Sequence, residues 1–394
     1  MSRMDRRTAL KQIIGGAAAL VLAPGIPAWT AFPPPEEEVP AAAERQAMAA
    51  LGRSFMEKFF APALSVAIVR DGRFVFERPF GMADRQEQQQ CTVDSLFRIA
   101  SVTKPITSVA VFTLVEKRRL NLSDKVFGSN GILDNIYGKP PYKQYVTDIT
   151  VDDLLTHTSG GWPNDSTDPM FRFNSWKVAK LISWTLQNLP LTYPPGQHWA
   201  YSNFGYCLLG RVIEKVTGQS YADYVQQAVL APCGISDMRI AGNTLKQRAP
   251  NEVVYQGQFG ENPYKMNVTR MDSHGGWIAT PSDMARFLTH VGGAPGVPSI
   301  LQPDSIRIMT TPSPAYPQTS AGRYARGWMV LDQGKGNWWH NGSLPGSTSI
   351  MVRTSSGMCW GAVTDTRTQP SGLIDTALDK MVWDMVGQVP AWNS

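Results

Sequence analysis

Phe97-Arg98-Ile99-Ala100-Ser101-Val102-Thr103-Lys104 is the stretch on which the reading of this chain turns. A helical pattern opens near Ser101 and runs to Arg119, with apolar Val109, Val111, Phe112 and Leu114 suited to burial. Pro105 falls in the first turns, where a missing N–H costs little. Residues three apart on a helix share a face, so Lys104 is expected beside Ser101. A serine hydroxyl is a weak nucleophile until a base takes its proton. Burial penalises the ammonium form of a lysine, and the neutral amine that results can be that base. The helix N-terminus adds positive potential and free N–H groups near the hydroxyl. Alone, S-x-x-K is a weak signal, because a serine cap followed by a solvent-facing lysine is written with the same letters.

Working outward, residues 41–60 read as a first helix. The apolar runs Ala63 to Val69 and Phe74 to Phe80 flank Arg70-Asp71-Gly72-Arg73, a strong hairpin signal. The middle of the chain reads as helical with long loops: Val151 to Leu155, Tyr206 to Val216, Tyr221 to Val229 and Pro281 to Val291, the last capped by Thr280 or Ser282. Strand patterns return at Gly327 to Leu331, Asn337 to His340, Ser347 to Val352 and Cys359 to Thr364, with a turn at Ser356-Gly357. An amphipathic helix closes the chain, with Leu373, Ile374, Ala377, Leu378, Met381, Val382 and Met385 on one face. Strands at both ends and helices between them predict an α+β fold. In it an antiparallel sheet, built from residues 45–100 and 291–394 and flanked by helices, carries a mainly helical insertion over residues 101–290.

Bulk properties narrow the function. With 394 residues, 43% of them hydrophobic, the chain can bury a large core. The net charge is +5, of which +3 falls in residues 1–31, where Arg3, Arg6, Arg7 and Lys11 oppose Asp5. A remainder near +2 with no basic run gives no case for nucleic acid. Arg6-Arg7 precede an apolar run from Ile13 to Ala23, too short to span a bilayer as a stable helix and suited to an export signal. The arginine pair resembles a twin-arginine signal, so residues 1–31 are expected to direct the protein to the periplasm or the exterior. Residues 32–44 are then a Pro- and Glu-rich linker. No other segment has the pattern of a membrane span. The four cysteines, Cys91, Cys207, Cys233 and Cys359, form no C-x-x-C pair, and no zinc or redox site is expected. There is no G-x-S-x-G, no H-E-x-x-H, no P-loop and no dinucleotide fingerprint. Neither a metal nor an organic cofactor is implied.

Other segments join the Ser101 stretch. They are Leu154-Leu155-Thr156-His157-Thr158-Ser159-Gly160-Gly161, Tyr201-Ser202-Asn203-Phe204-Gly205-Tyr206, Gly275-Gly276-Trp277 and His340-Asn341-Gly342-Ser343. Their residues and order resemble the superfamily of serine β-lactamases, penicillin-binding proteins and family VIII carboxylesterases, from about Pro62 to Met385. The resemblance implies Ser101 as nucleophile, with Lys104 and Tyr201, matching Y-x-N, sharing the proton traffic in an order left open. It implies an oxyanion hole from the backbone N–H groups of Ser101 and Ser343, and Asn203 orienting Lys104 or substrate. His340, Asn341 and Gly342 stand where the family's K-T-G strand lies and are expected at the substrate. The family's usual strand lysine is replaced by His340, which points away from efficient β-lactam hydrolysis. The expected partner is therefore a small ester, an amide or a β-lactam, in that order, with a D-aminopeptidase or amidase as the second activity. A non-turning-over cell-wall sensor is the alternative of another class. His157 and His274 are expected to be structural, and Trp162, Trp277 and Trp339 are candidates for an apolar pocket lining.

Overall fold

A computed structural model describes residues 40–317, 319, 321–331 and 336–392. The expected export signal, and the linker as far as residue 39, lie outside these. Helix α1 (Ala42–Phe59) already begins within the stretch assigned to the linker. The hairpin forms as the Asp71-Gly72 turn dictates, from β1 (Ala63–Arg70) and β2 (Arg73–Asp84), Gly72 taking the positive φ of 79° that the turn requires. Short strands β3 (Gln89–Gln90) and β4 (Phe97–Arg98) follow, then a 3₁₀ turn at Ala100–Val102 and helix α2 (Thr103–Glu116).

The central region holds α3 (Val151–Leu155), α4 (Val178–Asn188), α5 (Asn203–Thr217) and α6 (Tyr221–Val225). The helix expected to run from Tyr221 to Val229 passes into a π-helical turn at Gln226–Leu230. Strands β5 (Arg239–Ile240) and β6 (Trp277–Ala279) lead to α7 (Pro281–Gly292), capped by Thr280, whose hydroxyl accepts from the Asp283 N–H at 3.0 Å. Last come α8 (Pro303–Met309), β7 (Arg323–Tyr324), β8 (Met329–Val330), β9 (Trp338–Leu344), β10 (Ser347–Arg353), β11 (Met358–Thr364) and α9 (Gly372–Val386).

Two sheets result. The larger runs β3-β2-β1-β11-β10-β9-β8-β7, and its named pairings are antiparallel, so strands from both ends of the chain meet where β1 pairs β11. A small second sheet, β4-β6-β5, sits in front of the helical region. Alternation along β1 decides what covers each face. Leu64, Val66 and Ile68 join Ile350, Val352 and Trp360 beneath α1 and α9. Ala63, Ala67 and Val69 join Met351, Cys359 and Val363 on the other face, against Met284, Leu288 and Val291 of α7 and the buried side of α2. Each fully buried large aliphatic side chain contributes roughly 1.5–3 kcal/mol relative to exposure. The placement of α7 corrects one expectation. This helix was assigned to the inserted region, yet its buried face belongs to the sheet. The four cysteines are buried and free. Among the described residues no helix is long and apolar enough to cross a membrane.

Candidate active site

Ser101 is held by its neighbours on every side. The Ile99 N–H donates to the Trp277 carbonyl at 3.0 Å, and the Ser349 hydroxyl donates to the Ile99 carbonyl at 2.7 Å. The chain then turns through the left-handed region at Ala100, φ 46°, a conformation that costs a non-glycine residue about 1 kcal/mol or more. Strand β9 runs so close that a Cβ at Gly342 would lie 2.2 Å from the Ile99 carbonyl and 3.0 Å from the Ser101 nitrogen. Gly342 is thus a close-approach residue between β9 and the nucleophile's backbone, and it is not among the residues that line the cavity over Ser101.

The lysine one turn on is fully buried. Its Nζ lies 3.2 Å from Ser101 Oγ, 2.8 Å from Asn203 Oδ1 and 3.0 Å from the His274 carbonyl. Burial drives the Lys104 pKa well below its ordinary value, with the Asp168 carboxylate opposing the shift. A neutral amine keeps two N–H bonds. If Asn203 and His274 take them, the lone pair is directed at Ser101 Oγ, where a general base has to be.

Tyr201 and Asn203 reach the site through His157. The His157 backbone adopts φ 60°, its carbonyl accepts from the Ala200 N–H at 2.9 Å, and its Nδ1 accepts from the Ser202 N–H at 3.0 Å. Its ring packs 4.3 Å from that of Tyr201, centre to centre. His157 is therefore a structural brace for the loop that presents Tyr201. The Lys104 amine sits 4.6 Å from the Tyr201 ring centre. Burial raises the Tyr201 hydroxyl's pKa, and contact with Ser101 opposes only part of that shift. The raised pKa favours the neutral phenol at Tyr201, beside Ser101.

Asn203 is buried, and both ends of its amide are used by the protein. Oδ1 accepts from Lys104, while Nδ2 donates to Asp168 Oδ2 at 2.8 Å and to Asn164 Oδ1 at 3.0 Å. Its amide is thus spent on Lys104, Asp168 and Asn164, in line with the first of the two roles expected of it, orienting Lys104 or substrate. Asp168, absent from the sequence expectations, is 1% exposed, and its other oxygen accepts from the Met170 N–H at 2.8 Å. Burial pushes its pKa up to about 6, with the Asn203 hydrogen bond opposing. It belongs to the loop Pro163 to Ser175, whose course no periodicity reveals; the turn-forming Asp168-Pro169 pair was the available signal.

A cavity of about 600 Å³ opens over Ser101. Tyr201, His340, Asn341 and Ser343 line it, together with Trp199 and Tyr324. Ser101 and Ser343 thus face one space, as an oxyanion hole built from their N–H groups requires. Asn341 donates to Asp375 Oδ2 at 3.0 Å. His340 is buried, its Nε2 is 3.2 Å from the Tyr324 hydroxyl, and burial beside Lys104 lowers its pKa to about 3, so the imidazole is neutral. The expected tryptophans are elsewhere. Trp162 donates to the Leu189 carbonyl at 3.1 Å, Trp277 contacts the Tyr221 hydroxyl at 3.3 Å, and Trp339 packs at the outer core, so Trp199 is the tryptophan of the cavity wall. Among the described residues, no group of three or more His, Cys, Asp or Glu could hold a metal ion.

A serine hydroxyl beside a buried lysine amine suits a serine hydrolase, and comparison with known proteins places the chain in a family of that class. The profile of the Beta-lactamase family matches residues 48–380, and the chain belongs to that family. It is 27% identical over 320 residues to penicillin-binding protein 4* of Bacillus subtilis strain 168, covering 73% of this chain and 64% of that one. The chain thus spans just under two thirds of that relative's length. The D-amino acid amidase of Ochrobactrum anthropi SV3 superposes with a TM-score of 0.73 at 21% identity, over 90% of this chain and 100% of the other. A β-lactamase/D-alanine carboxypeptidase from Pseudomonas syringae does so with a TM-score of 0.68 at 17% identity, over 88% and 99%. These likenesses establish the β-lactamase-type α+β fold expected from the sequence.

Proposed function

We propose that this protein is a serine hydrolase that cleaves small carboxylic esters, and more slowly amides, through an acyl-Ser101 intermediate. The observation that carries the reading is the Lys104 amine, buried and directed at Ser101 Oγ by Asn203 and His274. Lys104 takes the serine proton as Oγ adds to the acyl carbon. The oxyanion forms between the N–H groups of Ser101 and Ser343, an arrangement in which one donor is worth roughly 3–4 kcal/mol of barrier. Tyr201 or the lysine ammonium returns the proton to the leaving group, and water then hydrolyses the ester on Ser101.

The ester preference rests on His340. A buried neutral imidazole supplies no charge for a carboxylate where β-lactamases usually carry lysine. Amides of D-amino acids are the second class, supported by the shared fold of the D-amino acid amidase. Export remains part of the proposal on the strength of Arg6-Arg7 and the apolar run after them. Cell fractionation of the wild type and an Arg6→Lys/Arg7→Lys variant tests it, retention of both in the cytoplasm being the contrary result.

The test of the activity is steady-state hydrolysis of a short-chain p-nitrophenyl ester beside a chromogenic cephalosporin, with Ser101→Ala as control. Ester turnover lost in Ser101→Ala, with the cephalosporin slow, is the expected result. Fast cephalosporin turnover would reverse the order of substrates, and stable acylation without turnover would mark a binding protein.

A further inference from the structure

We infer that the active cavity discriminates against acyl donors bearing a carboxylate, because Glu261 masks Arg367, the one cation among the described residues that line it. The inference rests on the hydrolase reading and names its substrate class: neutral or cationic acyl compounds.

The cavity wall carries three charged side chains, Glu261, Arg367 and Asp375. Arg367 spends its guanidinium on Glu261. Nε donates to Oε2 at 3.1 Å and Nη2 donates to Oε1, a two-point pairing that fixes both planes. The Gln369 amide donates to Glu261 Oε1 at 3.1 Å, and the Arg367 N–H donates to Gln258 Oε1 at 3.3 Å. The side chains of Arg367 and Glu261 are 19% and 21% exposed, so the pair is screened less than a surface ion pair. Asp375 lies in the same wall, feels the Arg367 charge, and is fastened to Asn341. Glu261 thus takes the guanidinium, and Asp375 adds a second carboxyl group to the same wall.

A substrate carboxylate entering this space finds no free cation. Lys104 lies beneath the floor with three oxygens around it, and the His340 imidazole is neutral. To reach Arg367, the carboxylate must displace Glu261, which is covalently part of the wall and needs no association entropy to stay there. Like charge at Glu261 and Asp375 adds repulsion. The wall thus reinforces what His340 does on β9: both places where a carboxylate could be held are electrically occupied or silent.

The experiment compares two boronic acids by isothermal titration calorimetry with the full-length protein. A boronic acid accepts a lone pair from Ser101 Oγ to form a tetrahedral B–O adduct, the serine proton passing to Lys104, so binding reads the cavity without turnover. The probes are phenylboronic acid and 3-carboxyphenylboronic acid, and the ratio of their Kd values cancels any general loss of affinity. The wild type is expected to bind the carboxylated probe roughly tenfold more weakly. Glu261→Gln should reduce that ratio severalfold by freeing Arg367, and Glu261→Gln/Arg367→Gln should cancel the gain. Asp375→Asn, which leaves the ion pair in place, should move the ratio the same way by less. A wild type that prefers the carboxylated probe, or ratios unchanged in both Glu261→Gln and Asp375→Asn, overturns the inference. Failure of both probes to bind the wild type would instead remove the hydrolase reading, and this inference with it.

Discussion

Lys104 Nζ lies 3.2 Å from Ser101 Oγ, and the same amine is held by Asn203 Oδ1 at 2.8 Å and the His274 carbonyl at 3.0 Å. The side chain is fully buried, and two of its three partners, Asn203 Oδ1 and the His274 carbonyl, can only accept hydrogen bonds. Its position is therefore set by the protein before any substrate arrives. If it is the base, Lys104→Met should lower kcat/KM for a p-nitrophenyl ester by roughly 10²–10⁴-fold. Its melting temperature should stay near or above that of the wild type, because a desolvated amine is exchanged for an apolar chain of similar length. Activity within a few-fold of wild type would assign the base role elsewhere.

Asp168 acts on the same amine from behind Asn203. Its negative charge favours the lysine ammonium, so it holds the Lys104 pKa higher than burial alone would. Removing that charge in Asp168→Asn should let the Lys104 pKa fall further. With the neutral amine as the proposed base, the acid limb of the kcat/KM profile should move to lower pH, by about one unit. A purely structural role would lower kcat/KM without moving the limb, and a shift to higher pH would contradict the electrostatic assignment. A second sign check comes from stability. With a folded pKa of about 6, Asp168 binds its proton more tightly in the native state than in the unfolded chain. Its contribution to stability should therefore fall as pH rises through roughly 4 to 6, and the Asp168→Asn protein should lack that component.

Gly342 offers a test of the scaffold. An added Cβ would meet the Ile99 carbonyl at 2.2 Å and Ser349 Oγ at 2.5 Å. Of these, the Ile99 carbonyl is backbone and cannot swing aside. Gly342→Ala should push β9 away from the nucleophile's turn, costing about 1–3 kcal/mol of stability and lowering kcat/KM by more than tenfold. Thermal unfolding and ester kinetics read both, and wild-type values for either would mean that the two backbones are not so tightly packed.

Restoring lysine on β9 should fail to create a β-lactamase. The His340 side chain is buried against Tyr324, and its surroundings already hold imidazole in the neutral form. An ammonium there would be desolvated next to Lys104, so His340→Lys is expected to lower the melting temperature by several degrees and leave cephalosporin turnover unimproved. A gain of tenfold or more in cephalosporin kcat/KM would show that the charge at this position alone governs the substrate class.

The parts of the fold legible in the sequence were those with local physical signals. Asp71-Gly72 dictated the hairpin, the Val151 to Leu155 pattern its helix, and the alternating runs around Ser356-Gly357 the C-terminal strands. The strand expected to end at His340 continues to Leu344, because Gly342 and Ser343 carry no strand propensity of their own and are recruited by pairing with β10. Helix α7 was placed in the wrong layer, since its apolar face fits either partner and only the three-dimensional topology chooses. At the site, Ser101, Lys104 and Tyr201 were legible because their spacing is local or tied to recurring motifs. Asp168, Glu261, Arg367 and Asp375 were not. Asp168, Glu261 and Arg367 lie in loops and Asp375 off the apolar face of α9, where no period marks them, and each acquires meaning from a partner between 34 and 108 residues away. Asn203 and Gly342 were found as motif members, but their burial, which sequence motifs do not report, keeps them out of the cavity lining.

The central claim is a covalent acyl group on Ser101. The most direct measurement is intact-protein mass spectrometry of the protein quenched in acid within its first turnovers of a p-nitrophenyl ester, followed by peptide mapping. The account predicts a mass increase of one acyl group, confined to the peptide containing Ser101 and absent in Ser101→Ala. Ester hydrolysis by Ser101→Ala at an undiminished rate, or an adduct mapped to another residue, would contradict it.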